Sequence, residues 1–148
     1  MPKNYGLACP VAKSLELVGE RWTLLIVRDA FFGIRRFDDF QASLGIARNV
    51  LTDRLNRLVD EGVFERVRYS EKPERFEYRL TAKGRELNVA LTALREWGER
   101  HVLEQPSRLL RRRSDGKAVT AALVPKGTKT LKLHEVELVP RRAARNTA

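Results

Sequence analysis

The sequence predicts a mainly helical protein of the α+β class, and three observations support that prediction. Apolar residues recur at helical spacing through most of residues 9–104, with glycines between the runs. Two runs rich in aromatic and β-branched residues, 63–69 and 76–81, predict one β-hairpin within this helical part. After Pro106 the composition changes to short runs separated by turn-forming residues, which predict a small β-rich appendage.

Length and charge predict two parts of different character. With 148 residues, 43% hydrophobic and 32% charged, the chain can form one compact domain with an appendage. We expect a domain at residues 1–105 and a basic β appendage with a frayed tail at residues 106–148. The formal net charge is +10, yet residues 1–105 carry 18 basic and 16 acidic residues, against 11 and 3 in the appendage. The total charge alone therefore does not locate a nucleic-acid surface.

Several classes of protein are excluded by what the sequence lacks. The longest stretch without a charged residue is nine, whereas about 18 apolar residues cross a bilayer, so we expect no membrane contact. The start has no signal-peptide pattern, which predicts a cytoplasmic, nucleoid-associated protein, and a single cysteine forms no internal disulfide. Two histidines, one cysteine and no glycine-rich phosphate loop provide no catalytic constellation. We expect no enzyme, no cofactor and no metal.

Four helices are predicted before the hairpin. Apolar positions in residues 9–30 predict two helices that meet at Gly19. A short helix over residues 36–44 follows, then a tight turn at Gly45 and a longer helix that runs to Gly62. The last two helices and their glycine turn form a helix-turn-helix pattern.

The hairpin that follows completes the pattern of a winged helix. Its second strand alternates apolar and polar residues, which predicts that one face packs on the helices and the other meets solvent or a partner. The apolar members are Phe76, Tyr78 and Leu80, and the polar members are Glu77, Arg79 and Thr81. A helix-turn-helix followed by a charged hairpin is typical of winged-helix proteins, which place the second helix of the pair in the major groove of DNA.

A long helix after the hairpin is predicted to form a dimer. Thr81 can cap a helix over residues 82–104, and one stripe of that helix is apolar. A second copy that covers this stripe would place two recognition helices about one DNA turn apart. The residues expected at the dimer interface are Leu15 and Val18 on the first helix and Leu87, Leu91, Leu94 and Trp97 on the last.

The candidate base-reading residues lie opposite the apolar stripe of the second helix of the pair. They are Arg48, Asn49, Thr52, Asp53 and Asn56. Arg48 can pair with guanine and Asn49 with adenine. The alternative is that Arg48 and Asn49 do not contact DNA and only reflect the polar residues that are common at helix N-termini. Arg54 and Arg57 lie nearer the flanks, where they would contact phosphates or pair with Asp53, Asp60 or Glu61.

Further cations are expected to contact the DNA backbone. Lys72 and Arg75 flank a proline at the tip of the hairpin, where they would reach the backbone or a narrow minor groove. The alternative is that they neutralise the neighbouring Glu71 and Glu74. Arg36, at the start of the short helix, is a candidate phosphate contact.

The ordered set of residues resembles one family of regulators. The residues that carry the resemblance are Cys9-Pro-Val11, Trp22-Thr-Leu-Leu-Ile26, Gly33, Arg36-Phe37, Leu51-Thr-x-Arg-Leu55, Leu58, Gly62, Arg66, Pro73-x-Arg75 and Tyr78-x-Leu-Thr-x-x-Gly84. Over about residues 8–100 this set resembles the HxlR-type regulators, MarR-like winged-helix proteins of bacteria and archaea. The resemblance implies a homodimeric transcription factor that binds operator DNA and senses electrophiles, oxidants or small aromatic compounds.

Cys9 is the candidate redox sensor. Pro10 suits the first position of a helix, which places Cys9 at the N-cap, where the helix dipole favours the nucleophilic thiolate. The resemblance implies a thiol switch at this residue, because the matching cysteine serves as one in redox-sensing members. The alternative is an inert, packed cysteine.

Three further features of the sequence leave alternatives open or exclude a site. Four aromatic residues either line a ligand cavity or fill the core: Trp22, Phe31, Phe32 and Trp97. Some longer members of the resembling family carry cysteines in the appendage, but this chain has none there, and its Asp115, His134 and Glu135 are too scattered to bind zinc. The basic run 111–113 either attracts DNA nonspecifically or is simply solvated.

The sequence therefore predicts a DNA-binding transcriptional regulator, and repression is the expected type of regulation. It would bind double-stranded DNA at a pseudo-palindromic operator as a homodimer and respond to a small-molecule or oxidant effector. The alternative is a winged-helix module for protein interactions, which the low net charge of residues 1–105 favours.

Overall fold

The computed structural model describes residues 4–105 and 108–141, which divide into two compact units. Unit 1 ends at Leu87, and unit 2 begins at Asn88. The last long helix thus groups with the C-terminal strands, while the division into a domain of residues 1–105 and an appendage of residues 106–148 stays a prediction. No helix in the described ranges has the length and apolar character needed to span a bilayer.

The order of elements confirms a helical α+β protein with a helix-turn-helix and a wing. Unit 1 holds α1 (Pro10–Val18), α2 (Thr23–Phe31), α3 (Phe37–Leu44), α4 (Arg48–Asp60), β1 (Phe64–Glu71), β2 (Glu74–Leu80) and α5 (Ala82–Arg85). Helix α6 (Leu87–His101) leads into unit 2, which holds β3 (Arg108–Arg112), a 3-10 turn (Leu133–Glu135) and β4 (Val136–Pro140). Helices α3 and α4 are the predicted pair, and β1 and β2 are the predicted hairpin.

The turn between α3 and α4 needs a glycine. Gly45 ends α3 with a φ of 63°, in the left-handed region that residues with a Cβ rarely adopt. Its N–H donates to the carbonyl oxygen of Gln41 at 2.9 Å, which satisfies one of the carbonyls left over at the helix end. The predicted tight turn is confirmed.

The core of unit 1 forms on the inner face of α4. Leu51, Leu55 and Leu58 recur at intervals of four and three residues, so they share one side of the helix, and all three are buried. Phe40 of α3 meets Phe64 of β1 edge to face, with ring centroids 6.2 Å apart. Full burial stabilises the fold by about 2 kcal/mol for each such side chain, so this cluster fixes α4 against its neighbours.

The hairpin is antiparallel and contains a bulge. Phe64 pairs with Leu80, and Arg66 pairs with Tyr78, before the register shifts between Arg68 and Ser70. The Tyr78 N–H donates to the Arg35 carbonyl oxygen at 2.7 Å, which ties β2 to the segment before α3. These contacts hold the wing beside the helix pair.

One residue on the polar face of β2 is less exposed than the alternation predicts. Glu77 was expected on the face that meets solvent, but only 14% of its side chain is exposed. Arg79 Nη2 lies 2.9 Å from one carboxylate oxygen, and Arg36 Nε lies 3.8 Å from the other. The two arginines cover Glu77, and one of them comes from outside the hairpin.

A packed corner joins the wing to α5. Thr81 caps α5 as predicted, because its hydroxyl oxygen accepts the Gly84 N–H at 3.1 Å. The Thr81 N–H donates to the Val63 carbonyl oxygen at 3.1 Å. Gly84 is buried, and a Cβ at this position would overlap that same Val63 oxygen and lie 3.0 Å from Leu80 Cδ2. The corner therefore requires a residue without a side chain.

The predicted single helix over residues 82–104 is interrupted at Glu86. The corner holds α5 in place, and the Glu86 N–H reaches the Ala82 carbonyl oxygen only at 3.3 Å. Helix α6 starts at Leu87 and ends at His101, three residues earlier than predicted. Local capping at Thr81 was predictable, but the packing that limits α5 to four residues was not.

Unit 2 contains a small antiparallel sheet of β3 and β4. Arg111 pairs with Glu137 across the sheet, with Nε and Oε1 2.8 Å apart. Arg112 binds Asp115 and, with a backbone N–H from Lys117, lowers the pKa of the Asp115 carboxyl to about 2. Basic residues of this region thus form ion pairs with carboxylates of the same unit.

The second strand of this sheet starts later than predicted. Alternation in residues 131–134 predicted a strand, but Leu133–Glu135 forms a 3-10 turn and β4 begins at Val136. The Glu135 carboxylate accepts the Lys132 N–H at 2.7 Å, which stabilises the turn. The predicted tail lies outside the described residues, apart from Arg141.

Candidate nucleic-acid interface

The polar face of α4 lies in solvent. Five residues predicted to face DNA are exposed on the side opposite the buried leucines: Arg48, Asn49, Thr52, Asp53 and Asn56. The N-cap residue Ala47 offers no side-chain hydrogen bond, so the first-turn amides beside Arg48 and Asn49 lack a side-chain cap. This end of α4 presents backbone donors and polar side chains together.

Some side chains on this face form hydrogen bonds within the protein, and others do not. The Thr52 hydroxyl donates to the Arg48 carbonyl oxygen at 2.9 Å, and Asp53 accepts a hydrogen bond of 2.6 Å from Arg54. Within the described ranges, the amide side chains of Asn49 and Asn56 have no hydrogen-bond partner. Because these two amides face water, they can bind a base edge without breaking a contact in the protein.

Arg48 rests on the neighbouring helix. Its guanidinium carbon lies 4.6 Å from the ring centroid of Phe37, and its Nη1 lies 3.7 Å from Asp38 Oδ1. The side chains of this ion pair are 71% and 86% exposed, so solvent screens the attraction. Arg48 can therefore exchange Asp38 for another anion or for a base edge at small cost.

Arg54 and Arg57 hold α4 against α1 and the segment that follows it. Arg54 Nη1 lies 3.0 Å from Glu20 Oε2, and its Nε donates to the Arg21 carbonyl oxygen at 3.1 Å. Arg57 donates to the Glu16 carbonyl oxygen and lies 3.6 Å from Glu20 Oε1. Of the two roles considered for these arginines, the structure shows ion pairing. Glu20 is a partner that no local sequence pattern indicated.

Lys72 and Arg75 lie at the tip of the wing. Lys72 is in the two-residue turn between β1 and β2, and both side chains are exposed. Glu74 pairs with Arg68 at 2.8 Å. In residues 4–105 and 108–141 neither tip cation has a carboxylate partner, so the structure does not show the internal neutralisation considered as the alternative.

Arg36 turns from α3 towards the wing. It is the N-cap residue of α3, as predicted for the start of the short helix. Its guanidinium carbon lies 4.4 Å from the ring centroid of Tyr69 in β1, besides the contact with Glu77 described above. The side chain thereby links the helix pair to the hairpin.

A cleft of about 500 Å³ lies between the start of α3, the start of α4 and the hairpin, and we call it the wing cleft. Four arginines line it: Arg36, Arg48, Arg66 and Arg75. Three of them were predicted to contact DNA. The fourth was missed, although the strand alternation places Arg66 opposite Tyr78, on the face that includes the apolar residues of β2.

Cys9 is exposed at the start of α1. It occupies the N-cap position with Pro10 as the first helical residue, as predicted, and it is not packed in a core. The segment before it is fixed to α1, because the Tyr5 N–H donates to Glu16 Oε1 at 3.0 Å. This hydrogen bond, with a further contribution from Lys13, holds the pKa of the Glu16 carboxyl below its usual value.

The residues predicted at the dimer interface differ in exposure. On α1, Leu15 is exposed but Val18 is buried, so the Val18 side chain lies away from any surface that a second copy could reach. On α6, Leu94 and Trp97 are each more than half exposed. Leu87 and Leu91 are partly buried.

The aromatic candidates for a ligand cavity lie outside the wing cleft. Trp22 and Phe31 are partly buried, while Phe32 is about half exposed at 49%. None of these three, nor Trp97, lines the wing cleft. Across residues 4–105 and 108–141, no three His, Cys, Asp or Glu side chains form a group that could hold a metal ion.

Comparisons with known proteins agree with this architecture. Residues 17–106 match the family described as HxlR-like helix-turn-helix. Rv3095 of Mycobacterium tuberculosis, described as an uncharacterized HTH-type transcriptional regulator, is 55% identical over 92 residues. That match covers 62% of this chain and 58% of the relative, so less than two thirds of the relative's length is represented here.

Two solved structures resemble this chain, one over nearly its whole length and the other over about two thirds of it. PA1607, described as a candidate transcription factor, is 40% identical with a TM-score of 0.73, over 94% of this chain and 96% of that protein. The redox regulator HypR in its reduced form is 33% identical with a TM-score of 0.60, over 65% of this chain and 98% of that protein. Rv3095 and PA1607 are both described as regulators of transcription, and the chain belongs to the HxlR-like helix-turn-helix family.

Proposed function

We propose that this regulator binds double-stranded operator DNA as a homodimer and represses transcription by occluding the promoter. One observation carries the proposal. The wing cleft brings Arg48 at the start of α4 and Arg75 of the wing to the same concave surface. A winged helix uses these two elements together, the helix in the major groove and the wing along the backbone or minor groove.

The proposed contacts divide into base reading and backbone binding. Arg48 and Asn49 read base edges from the first turn of α4, where their side chains are exposed. Thr52, Asp53 and Asn56 lie on the same face and flank that contact. Lys72, Arg75 and Arg36 supply positive charge for phosphates or a narrow minor groove.

The dimer is proposed from the apolar residues exposed on two helices. Leu94 and Trp97 on α6, and Leu15 on α1, leave apolar surface in water unless a partner covers it. A second copy related by two-fold symmetry would cover the same residues on both chains and suit a pseudo-palindromic site. Val18 is buried within its own chain and is therefore not part of the proposed interface.

The test is the salt dependence of binding to DNA upstream of the protein's own gene, against an unrelated duplex of equal length, under reducing conditions. We expect a preference for the upstream duplex of at least about a thousandfold that persists as salt rises. Equal and steeply salt-dependent binding to both duplexes would contradict sequence reading. Absence of duplex binding would favour the second candidate, a winged-helix module for protein interactions, which the low net charge of residues 1–105 supports.

Regulation is proposed to act through Cys9. Its thiolate attacks the peroxide oxygen of an oxidant to give a sulfenic acid and hydroxide, and a second thiol then condenses with it to a disulfide and water. The second thiol comes from the partner copy or from a small thiol. A change at Cys9 could reach the proposed recognition helix through α1, because the Glu16 carbonyl oxygen of α1 accepts a hydrogen bond from Arg57 of α4.

Replacing Cys9 with serine tests this regulation. We expect peroxide to lower the operator affinity of the wild-type dimer by about tenfold or more, a loss of about 1.4 kcal/mol. The Cys9→Ser dimer should keep its affinity, since serine is isosteric but is not oxidised by peroxide. The measurement is fluorescence anisotropy with the operator duplex before and after peroxide. A Cys9→Ser protein that still releases its operator would rule out the thiol mechanism.

A further inference from the structure

We propose that the wing cleft is a phosphate site, in which Arg66 binds one phosphodiester of the DNA backbone together with Arg75. The inference rests on the proposed DNA-binding function and names a contact residue that the sequence prediction did not include. It also assigns a specific occupant to a cleft formed by three separate elements: the start of α3, the start of α4 and the hairpin.

The charge of the cleft matches a monoanion. Its lining has four guanidinium groups against three carboxylates, those of Asp38, Asp39 and Glu74. One of these carboxylates pairs outside the lining, because Glu74 binds Arg68 at 2.8 Å. One guanidinium also does so, because Arg36 lies 3.8 Å from Glu77, and the excess therefore stays at one positive charge. The excess of positive charge favours an anion, and a phosphodiester carries a single negative charge.

Two of the four arginines are not engaged by acids. Arg48 faces Asp38 and Arg36 faces Glu77, each in an ion pair of 3.7 Å or more. In the described part of the chain, Arg66 and Arg75 have no carboxylate partner. Their hydrogen-bond donors are therefore available to phosphate oxygens without the loss of an existing ion pair.

Arg66 is held in place by an aromatic ring. Its guanidinium carbon lies 3.7 Å from the ring centroid of Phe76, the closest of the arginine and ring contacts in the described residues. Stacking on the face of the ring restricts the side chain and leaves the in-plane N–H groups open at the edges. A planar donor fixed in this way loses less entropy when it binds an anion.

The position of the cleft favours duplex DNA over a free anion as its occupant. The cleft includes Arg48, which begins the proposed recognition helix, and Arg75, which is next to the tip of the wing. A duplex bound by both elements would pass a phosphate over the space between them. Contact at this point fixes the register of the protein on DNA but carries no base information.

The test compares Arg66→Gln with Arg79→Gln on the full-length protein. Arg79 lies on the same hairpin but pairs with Glu65 in the register, so its side chain belongs to the opposite face. We expect Arg66→Gln to weaken binding to operator and unrelated duplexes by a similar factor. It should also reduce the slope of log affinity against log salt by about one. Arg79→Gln should leave the slope unchanged, and Arg66→Lys should retain it because the charge remains.

Inorganic phosphate provides a second, independent probe. In NMR spectra of arginine Nε–H groups, we expect phosphate titration to shift Arg66 and not Arg79. An unchanged slope in Arg66→Gln, or an equal loss in Arg79→Gln, would overturn the assignment. If the wild-type protein bound neither duplex while phosphate still shifted Arg66, the DNA-binding function and the DNA occupant would both be wrong and the cleft would bind free phosphate. If phosphate caused no shift either, no phosphate site would exist.

Discussion

Replacement of Gly84 by alanine is expected to destabilise the protein by about 3 kcal/mol. Gly84 is buried where α5 packs on the wing, and a Cβ there would overlap the Val63 carbonyl oxygen. Neither the oxygen nor the helix can move freely, because the Thr81 N–H donates to that same oxygen at 3.1 Å and Thr81 also caps α5. Relief of the overlap must therefore shift backbone, which costs more than a change of side-chain rotamer.

Gly98 provides the matched control for this prediction. It lies within α6, and in the described residues of a single copy nothing would lie within 4 Å of a Cβ at that position. Gly98→Ala should stabilise the protein by about 0.5–1 kcal/mol through higher helix propensity alone. Urea denaturation followed by circular dichroism measures both changes. Equal effects of the two substitutions, or a stabilised Gly84→Ala protein, would show that the corner tolerates a side chain.

Replacement of Arg48 by alanine is expected to reduce the preference for the operator over an unrelated duplex by about 2 kcal/mol, roughly thirtyfold. Arg48 is exposed at the start of α4 and gives up only a screened contact with Asp38 when it binds DNA. A guanidinium that reads guanine contributes to the cognate site and little to other sites. Competition anisotropy with the two duplexes at fixed salt measures the preference.

The result for Arg48→Ala should differ in kind from that for Arg66→Gln. Loss of a base contact changes discrimination, whereas loss of a phosphate contact weakens binding to all sequences and lowers the salt slope. Asn49→Ala is expected to act like Arg48→Ala at a different base position, since Asn49 lies beside it and its amide has no hydrogen-bond partner in the described part of the chain. If Arg48→Ala weakened binding to both duplexes equally, Arg48 would be a backbone contact.

Much of the fold follows from local sequence patterns. The leucines at 51, 55 and 58 are predicted to share one buried face from their spacing alone, and the structure buries all three. Gly45 takes the left-handed conformation that its place between two helical runs indicates. Cys9 lies at an N-cap because the proline after it suits the first turn of a helix. In each case the physical cause acts within a few residues, so the sequence displays it.

Contacts between distant residues were not predictable in the same way. Glu20 binds Arg54 and Arg57, which lie more than thirty residues later, and these ion pairs decide that both arginines support α4. Val18 has the pattern of an interface residue, yet the packing of α1 within unit 1 buries it. Glu77 has the pattern of a solvent-facing residue, yet Arg36 from the start of α3 helps to cover it.

By itself, therefore, the sequence determined the helix-turn-helix, the wing and the polar face of α4, because periodicity, caps and turns are local properties. Only the tertiary structure decided which cations remain without an acidic partner. Among the residues that the structure describes, Arg66 and Arg75 remain so beside a cleft, while Arg54 and Arg57 bind Glu20. The physical reason is that an ion pair depends on distance in space, and the chain brings together charges whose separation in sequence carries no signal.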